Sequence, residues 1–271
     1  MSYNRIVQTV ADCICDAEYN IPKDIEQSII LATKKEKNPV ALNQFENILN
    51  NISKARELKV PICQDTGIPV IYLTLPPTIP YTSEIYNAIS DGVKLATKLV
   101  PLRPNVVNPI TRVNTMDNTG IGMPTIHVIP GDVFKVTVLP KGAGSENMSQ
   151  IRMMLPSQVS EIPKFIVDTV IEAGSKPCPP IIVGVGIGGT FDSVASLSKE
   201  ALLMPIDTMD KCEQNICNAI NSLGIGPMGL GGNTTALAVK IKRGDCHTAS
   251  LPVAINIQCW CCRHSTKEVE L

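Results

Sequence analysis

Apolar residues recur at three- and four-residue steps through the first sixty positions, at Ile6, Val10 and Cys13 and again at Phe45, Ile48, Leu49 and Ile52. That is the spacing of one buried helix face, so residues 1–60 are predicted to form a helical scaffold. The period then changes. IPVIYLTL at 68–75 is short, β-branched and aromatic, the pattern of a strand, and a helical stretch follows from Ser83 to Leu99, stopped by Pro101. Residues 101–122 are rich in Pro, Asn, Thr and Gly and hold too little period for a regular element, which predicts a long loop of the functional or mobile rather than the idle kind. PTIHVIP and DVFKVTVLP, joined through Pro130 and Gly131, predict a hairpin or two neighbouring strands leading into the turn KGAGSENMS. A helix near 158–173 is followed by a buried strand, PPIIVGVGIGG, that runs through a glycine loop into the helix TFDSVASLSKEALL. A further helix at 209–223, the loop GIGPMGLGGNTT and two strands in TALAVKIK and PVAINIQ close the chain. No repeat and no break in composition marks a boundary. The expectation is one mixed α/β (α+β) domain over 1–271: a helical N-terminal region packed on a mixed-sheet core with Gly-rich strand-to-helix loops.

Composition narrows the function classes. The chain is 44% hydrophobic, ordinary for a globular core, and its 24 Lys+Arg against 25 Asp+Glu leave a net charge of −1. There is no overall excess to attract phosphate backbones or anionic lipid, so neither nucleic acid nor membrane is an expected partner. No apolar run approaches the roughly 20 residues needed to cross a bilayer, and MSYNRIVQTVADCICDAEYN lacks the apolar core of a signal peptide. The expected compartment is the cytoplasm. The ten cysteines are then expected as reduced thiols rather than a disulfide framework. Cys13, Cys212 and Cys217 fall in helical stretches and are read as small buried hydrophobes.

Several motifs carry chemistry beside a plainer reading. Gly184, Gly186 and Gly189 match G-x-G-x-x-G between a strand and a helix, the setting of a dinucleotide fingerprint. No clear βαβ repeat follows, however, and the acidic candidates about twenty residues on, Asp207 and Asp210, lie in a loop-to-helix region. Gly224, Gly226 and Gly229 match the same pattern with Pro227 inside. Tight strand–turn–helix packing is the reading preferred over NAD. An anion site at a helix N-terminus, suited to carboxylates, stays open. Cys63-Gln64-Asp65 puts a thiol, an amide and a carboxylate in sequence before a strand: either a turn closed by Asp65 and Gly67, or a metal ligand with a neighbouring acid. Cys178 sits between prolines, as a loop thiol or as a ligand on stiffened backbone. Cys246, His247, Cys259 and Cys262 make a zinc set conceivable, although no C-x₂-C pair faces a second one.

Taken in order, CQDTG at 63–67, PLRPN at 101–105, KGAGSEN at 141–147, CPPIIVGVGIGGT at 178–190, GIGPMGLGGNT at 224–234 and the final Cys259-Trp260 resemble the class I fumarate hydratase family, and more closely its free-standing alpha subunit. The resemblance runs from about residue 60 to 264. It implies a [4Fe–4S] cluster on three thiolates, Cys63, Cys178 and Cys259, with one iron lacking a protein ligand; Cys261 or Cys262 is the alternative third ligand. It implies substrate contacts from Gln64, Asp65, Arg103 and the Gly142 N–H, with His247 lining the site. Each type suits its task, since Arg offers a planar fork to a carboxylate and Gly a close main-chain approach.

The activity so implied is a hydro-lyase of the tricarboxylic acid cycle that hydrates fumarate to L-malate. The open iron would act as Lewis acid, Asp65 and His247 would be the catalytic residues, and Arg103 would fix a carboxylate. The chain stops at Leu271, short of the second domain that supplies the C–H base in this family. A separate beta subunit, an alpha2beta2 assembly and little activity of the single chain are therefore expected. L-tartrate dehydratase alpha subunit is the near alternative. From other classes, a colourless NAD-binding oxidoreductase or a structural zinc protein would be distinguished by cofactor and metal content.

Overall fold

The computed structural model describes residues 2–270. The helical start comprises α1 (Tyr3–Tyr19), α2 (Lys23–Lys35) and α3 (Pro39–Leu58), followed by β1 (Ile68–Leu75), α4 (Ser83–Leu99), β2 (Thr125–Pro130) and β3 (Lys135–Lys141). Then come a short α5 (Ala143–Glu146), β4 (Gln150–Met154), α6 (Ile162–Ala173), β5 (Ile181–Gly189), α7 (Phe191–Ala201), α8 (Lys211–Asn221), β6 (Ala236–Cys246), β7 (Leu251–Gln258) and β8 (Ser265–Glu268). The chain is mixed α/β and divides into two compact units. One holds the residues up to Pro22, Asn51–Gly142 and those from Arg263 on; the other holds Lys23–Asn50 and Ala143–Cys262.

In the first unit a four-stranded sheet has the order β2-β1-β3-β8. β1 pairs with β2 in parallel and with β3 antiparallel, so β2 and β3 are not neighbours and form no hairpin. The burial of the strands explains this correction. β1 is buried along nearly its whole length and takes the centre, whereas β2 is only partly covered and lies at the edge. α1 and α4 pack together, the α1 face that the sequence period marked, Ile6, Val10 and Cys13, against Ile85, Ile89 and Val93. A Cβ at Gly92 would stand 2.6 Å from that of Val10, so glycine sets how closely these helices approach. Thr82 caps α4 by accepting the Ile85 N–H at 3.4 Å. The cap and Pro101 place the boundaries where the sequence predicts them.

In the second unit the order is β4-β7-β5-β6, with β5 parallel to β6 and antiparallel to β7. Its core joins Val183, Val185, Val239, Val253 and Ile255 with Phe165 and Ile166 of α6. β4 and β8 are elements that the sequence did not announce; both are short and partly exposed. Cys13 and Cys217 are buried as expected, but Cys212 is exposed on α8, because the apolar face of that helix is made by Ile216, Cys217 and Ile220.

The glycines of β5 have a packing role. A Cβ at Gly184 would lie 2.2 Å from the Ser198 carbonyl, and one at Gly186 would lie 2.3 Å from that of Val194, so α7 rests directly on the strand backbone. Asp210, one of the two acidic candidates for a ribose contact, caps α8 instead, with Oδ1 accepting the Glu213 N–H at 2.8 Å. Gly186→Ala is expected to cost roughly 1–3 kcal/mol through overpacking, read as a lowered urea midpoint with an unchanged slope.

Candidate active-site loops

In the first unit the loop before β1 closes as a turn built on Asp65, whose Oδ1 accepts the Gly67 N–H at 3.0 Å. Gly67 has φ +72°, and a Cβ there would sit 2.8 Å from the Lys141 backbone, so only glycine fits. The same geometry brings the end of β3 to the loop: a Cβ at Gly142 would be 3.1 Å from Asp65 Oδ2. Asp65 and Gly142, 77 positions apart in the numbering, therefore meet. Cys63 is half-buried and Gln64 exposed, with Cys63 Sγ 3.8 Å from Gln64 Oε1.

Arg103 reaches this group through its main chain. Its N–H donates to Thr66 Oγ1 at 3.1 Å, and Asn105 Nδ2 donates to the Gly67 carbonyl at 2.9 Å. Asn118, buried and at φ +61°, ties the loop together: Nδ2 donates to the Arg103 carbonyl at 3.2 Å and Oδ1 accepts the Asn105 N–H at 2.7 Å. Sequence reasoning carried Thr66 and Asn105 only as members of CQDTG and PLRPN, without a role, and missed Asn118, for which the Asp-Asn-Thr-Gly turn offered a local signal.

In the second unit Cys178 is exposed, with φ +53°, between two buried prolines. The Trp260 N–H donates to the Cys178 carbonyl at 3.3 Å, which joins the Cys178 loop to the segment carrying Cys259. The glycine loop 224–234 joins them, since the Met228 N–H donates to the Pro179 carbonyl at 2.8 Å and a Cβ at Gly229 would strike Ser175. Glu36 clasps that loop. Its Oε2 accepts the Asn233 N–H at 2.7 Å, and its Oε1 accepts the Lys37 and Asn38 N–H groups at 2.8 and 3.0 Å. Burial pushes the Glu36 carboxyl up, but the backbone N–H donors outweigh it and hold the pKa below the ordinary carboxylate value.

Among the three terminal thiols, Cys259 is half-buried while Cys261 and Cys262 are fully covered, and Cys262 Sγ faces the Leu202 carbonyl at 3.8 Å. His247 is exposed past β6; its Nδ1 accepts the Ala249 N–H at 3.1 Å, which leaves the neutral ring with its proton on Nε2. Cys246 Sγ faces the Ser250 carbonyl at 3.3 Å. Among the described residues no three His, Cys, Asp or Glu groups gather as ligands of a single metal ion, so the zinc set of Cys246, His247, Cys259 and Cys262 is not assembled. Cys63 belongs to the first unit, and Cys178 and Cys259 to the second. All three are thiols, none in a disulfide and none fully buried, which is the donor chemistry an iron–sulfur cluster requires.

A family model described as fumarate hydratase (Fumerase) matches residues 7–268. A protein of Methanocaldococcus jannaschii called putative L(+)-tartrate dehydratase subunit alpha is 42% identical, over 98% of this chain and 98% of its own length. The L(+)-tartrate dehydratase subunit alpha of Escherichia coli is 30% identical, over 98% of this chain and 91% of its own. The chain belongs to the fumarate hydratase (Fumerase) family, a family of hydro-lyases. Among the described residues no helix is long and apolar enough to cross a membrane.

The clasp generates a pH prediction. Because the folded Glu36 pKa is lowered, its contribution is present above the ordinary value of 4.5 and is lost as pH falls through the folded value. Glu36→Gln is expected to cost about 1–3 kcal/mol at neutral pH, the gap from wild type shrinking below about pH 4.5. Urea unfolding of both proteins across pH 3–7 measures it.

Proposed function

We propose that this chain is the alpha subunit of a hydro-lyase that interconverts fumarate and L-malate, with a [4Fe–4S] cluster held by Cys63, Cys178 and Cys259. The observation that carries the reading is the cluster of groups in the first unit. A carboxylate, Asp65, stands against the Gly142 main chain in a loop that also bears Cys63 and Gln64 and is stitched to Arg103. When bound, such a cluster supplies a Lewis acid that polarises the C–O bond under attack and a substrate carboxylate.

The chain's own residues do the rest. Arg103 receives the second carboxylate in a planar fork, and the Gly142 N–H and Gln64 amide orient the substrate by hydrogen bonds. Asp65 takes or returns the proton at the hydroxyl oxygen, with its carboxylate held by the Gly67 N–H. His247, presenting Nε2–H, donates a hydrogen bond to the same oxygen or shares the proton transfer. Removal of the C–H proton falls to a beta subunit, a partner supported by the names of the relatives, each an alpha subunit. The arm between Arg103 and Pro124 supports a partner as well, because it displays Ile110 and Ile121 bare to solvent. The assembly proposed is alpha2beta2, working in the cytoplasm. A second reading, L-tartrate as substrate, is favoured by those same names; the KGAGS motif at 141–145 leans to fumarate.

Anaerobic co-production with the beta subunit tests both readings. Turnover of fumarate and malate well above that of L-tartrate is expected, with little turnover by the single chain; the reverse preference would transfer the assignment to tartrate, and full turnover by the single chain would remove the beta subunit from the proposal. Cys63→Ser, Cys178→Ser and Cys259→Ser are each expected to lose the visible absorbance and EPR signal of the reconstituted cluster, and Cys261→Ser and Cys262→Ser to keep them. Retention by all of the first three would sink the ligand assignment.

A further inference from the structure

The loop bearing Cys63, Gln64 and Asp65 is gripped by a buried ion pair that the proposed chemistry does not use. Arg263 is 2% exposed, and its Nη2 donates to the Asp65 carbonyl oxygen at 2.6 Å, across 198 residues of chain. Its Nε lies 3.3 Å from Oε2 of Glu18, which is 1% exposed at the end of α1. Glu18 holds the same loop through its main chain as well: its carbonyl accepts the Ile62 N–H at 2.9 Å, while Asn51 Nδ2 donates to the Ile62 carbonyl at 2.8 Å. Burial pushes the Glu18 carboxyl up to about 7, Arg263 pulling it down and the Asp65 charge adding to the rise.

Stability alone is a poor reason for such a pair. Taking a guanidinium and a carboxylate out of water costs about as much as their attraction returns, and well-packed apolar residues of the same volume often do as well or better. What an apolar pair cannot do is donate a directed bond to a carbonyl in a loop that has no strand or helix to satisfy it. Residues 61–67 are such a loop.

We propose that Arg263 is a positioning residue: it fixes the main chain at Asp65, so that the carboxylate stays beside the Gly67 N–H and Gly142, and Glu18 is the counter-charge that keeps the guanidinium oriented. The inference rests on Asp65 as the proton-transfer group of the proposed hydro-lyase. Its other half, order in the loop, is measurable without turnover.

The test compares wild-type alpha–beta complex with Glu18→Gln, Arg263→Lys and the double variant Glu18→Leu/Arg263→Met. The double variant is expected to melt within about 5 °C of wild type, to exchange amide hydrogens at 61–67 about tenfold faster or more, and to lose about tenfold or more in kcat with KM changed less than about threefold. Arg263→Lys should recover part of both losses. Wild-type exchange at 61–67 in the double variant overturns the proposal, as does raised exchange with unchanged kcat. If the double variant fails to fold, Glu18→Gln decides, with faster exchange at 61–67 expected and wild-type exchange overturning. Raised exchange in a complex that turns over neither fumarate, malate nor tartrate would keep the gripping role and remove the hydro-lyase reading.

Discussion

A backbone amide or carbonyl taken out of water has to find a partner, and the segments proposed to carry the chemistry have no ladder to supply one. Residues 61–67, 101–123, 175–180 and 224–234 contain almost no regular structure. Three of them are held by side chains used as substitute backbone, Asp65 on Gly67, Thr66 on Arg103, Asn118 on Asn105 and Glu36 on Asn233, while the main chain of Met228 and Trp260 holds 175–180. These bonds turn four irregular loops into fixed frames, which is what reactive groups need in order to act at defined distances.

The regular elements are the supports for those frames, and small residues decide how near each frame can come. Gly92 brings α1 and α4 together, Gly184 and Gly186 seat α7 on β5, and Gly67 leaves room for the Lys141 backbone. In the last case the fold and the proposed chemistry use one contact. The approach of β3 to the loop before β1 is also what carries Gly142 to Asp65. Each unit has its own apolar core, so the frames in each are anchored independently.

The donor groups follow a common logic. The cysteines with a structural part, Cys13, Cys217, Cys261 and Cys262, are fully buried, and burial pushes the Cys13 and Cys217 thiols up to about 11, well away from reactivity. Cys63, Cys178 and Cys259 sit in irregular segments with part of their surface open. The contrast between inert and available thiols comes from environment, since the residue type is the same.

Read by itself, the sequence determined the elements whose signal is periodic or punctuated. The span of β1, the helix from Ser83 to Leu99 between a threonine cap and a proline, and the helical start were all legible, because helix and strand periods are local properties of the chain. The ordered set of motifs was enough to reach the family. The partners of each strand were not legible: β2 and β3 looked adjacent because they are consecutive, while burial on both faces put β1 between them. Cys212 looked buried because it lies in a helical stretch, and the face it occupies depended on where α8 docks. Tertiary structure alone brought Gly142 to Asp65, Asn118 to the Arg103 loop, and Arg263 with Glu18 to the Asp65 backbone. The reason is physical. A period or a cap is written within a few residues, whereas a contact between groups as far apart along the chain as Glu18 and Arg263 exists only once packing has closed the chain between them.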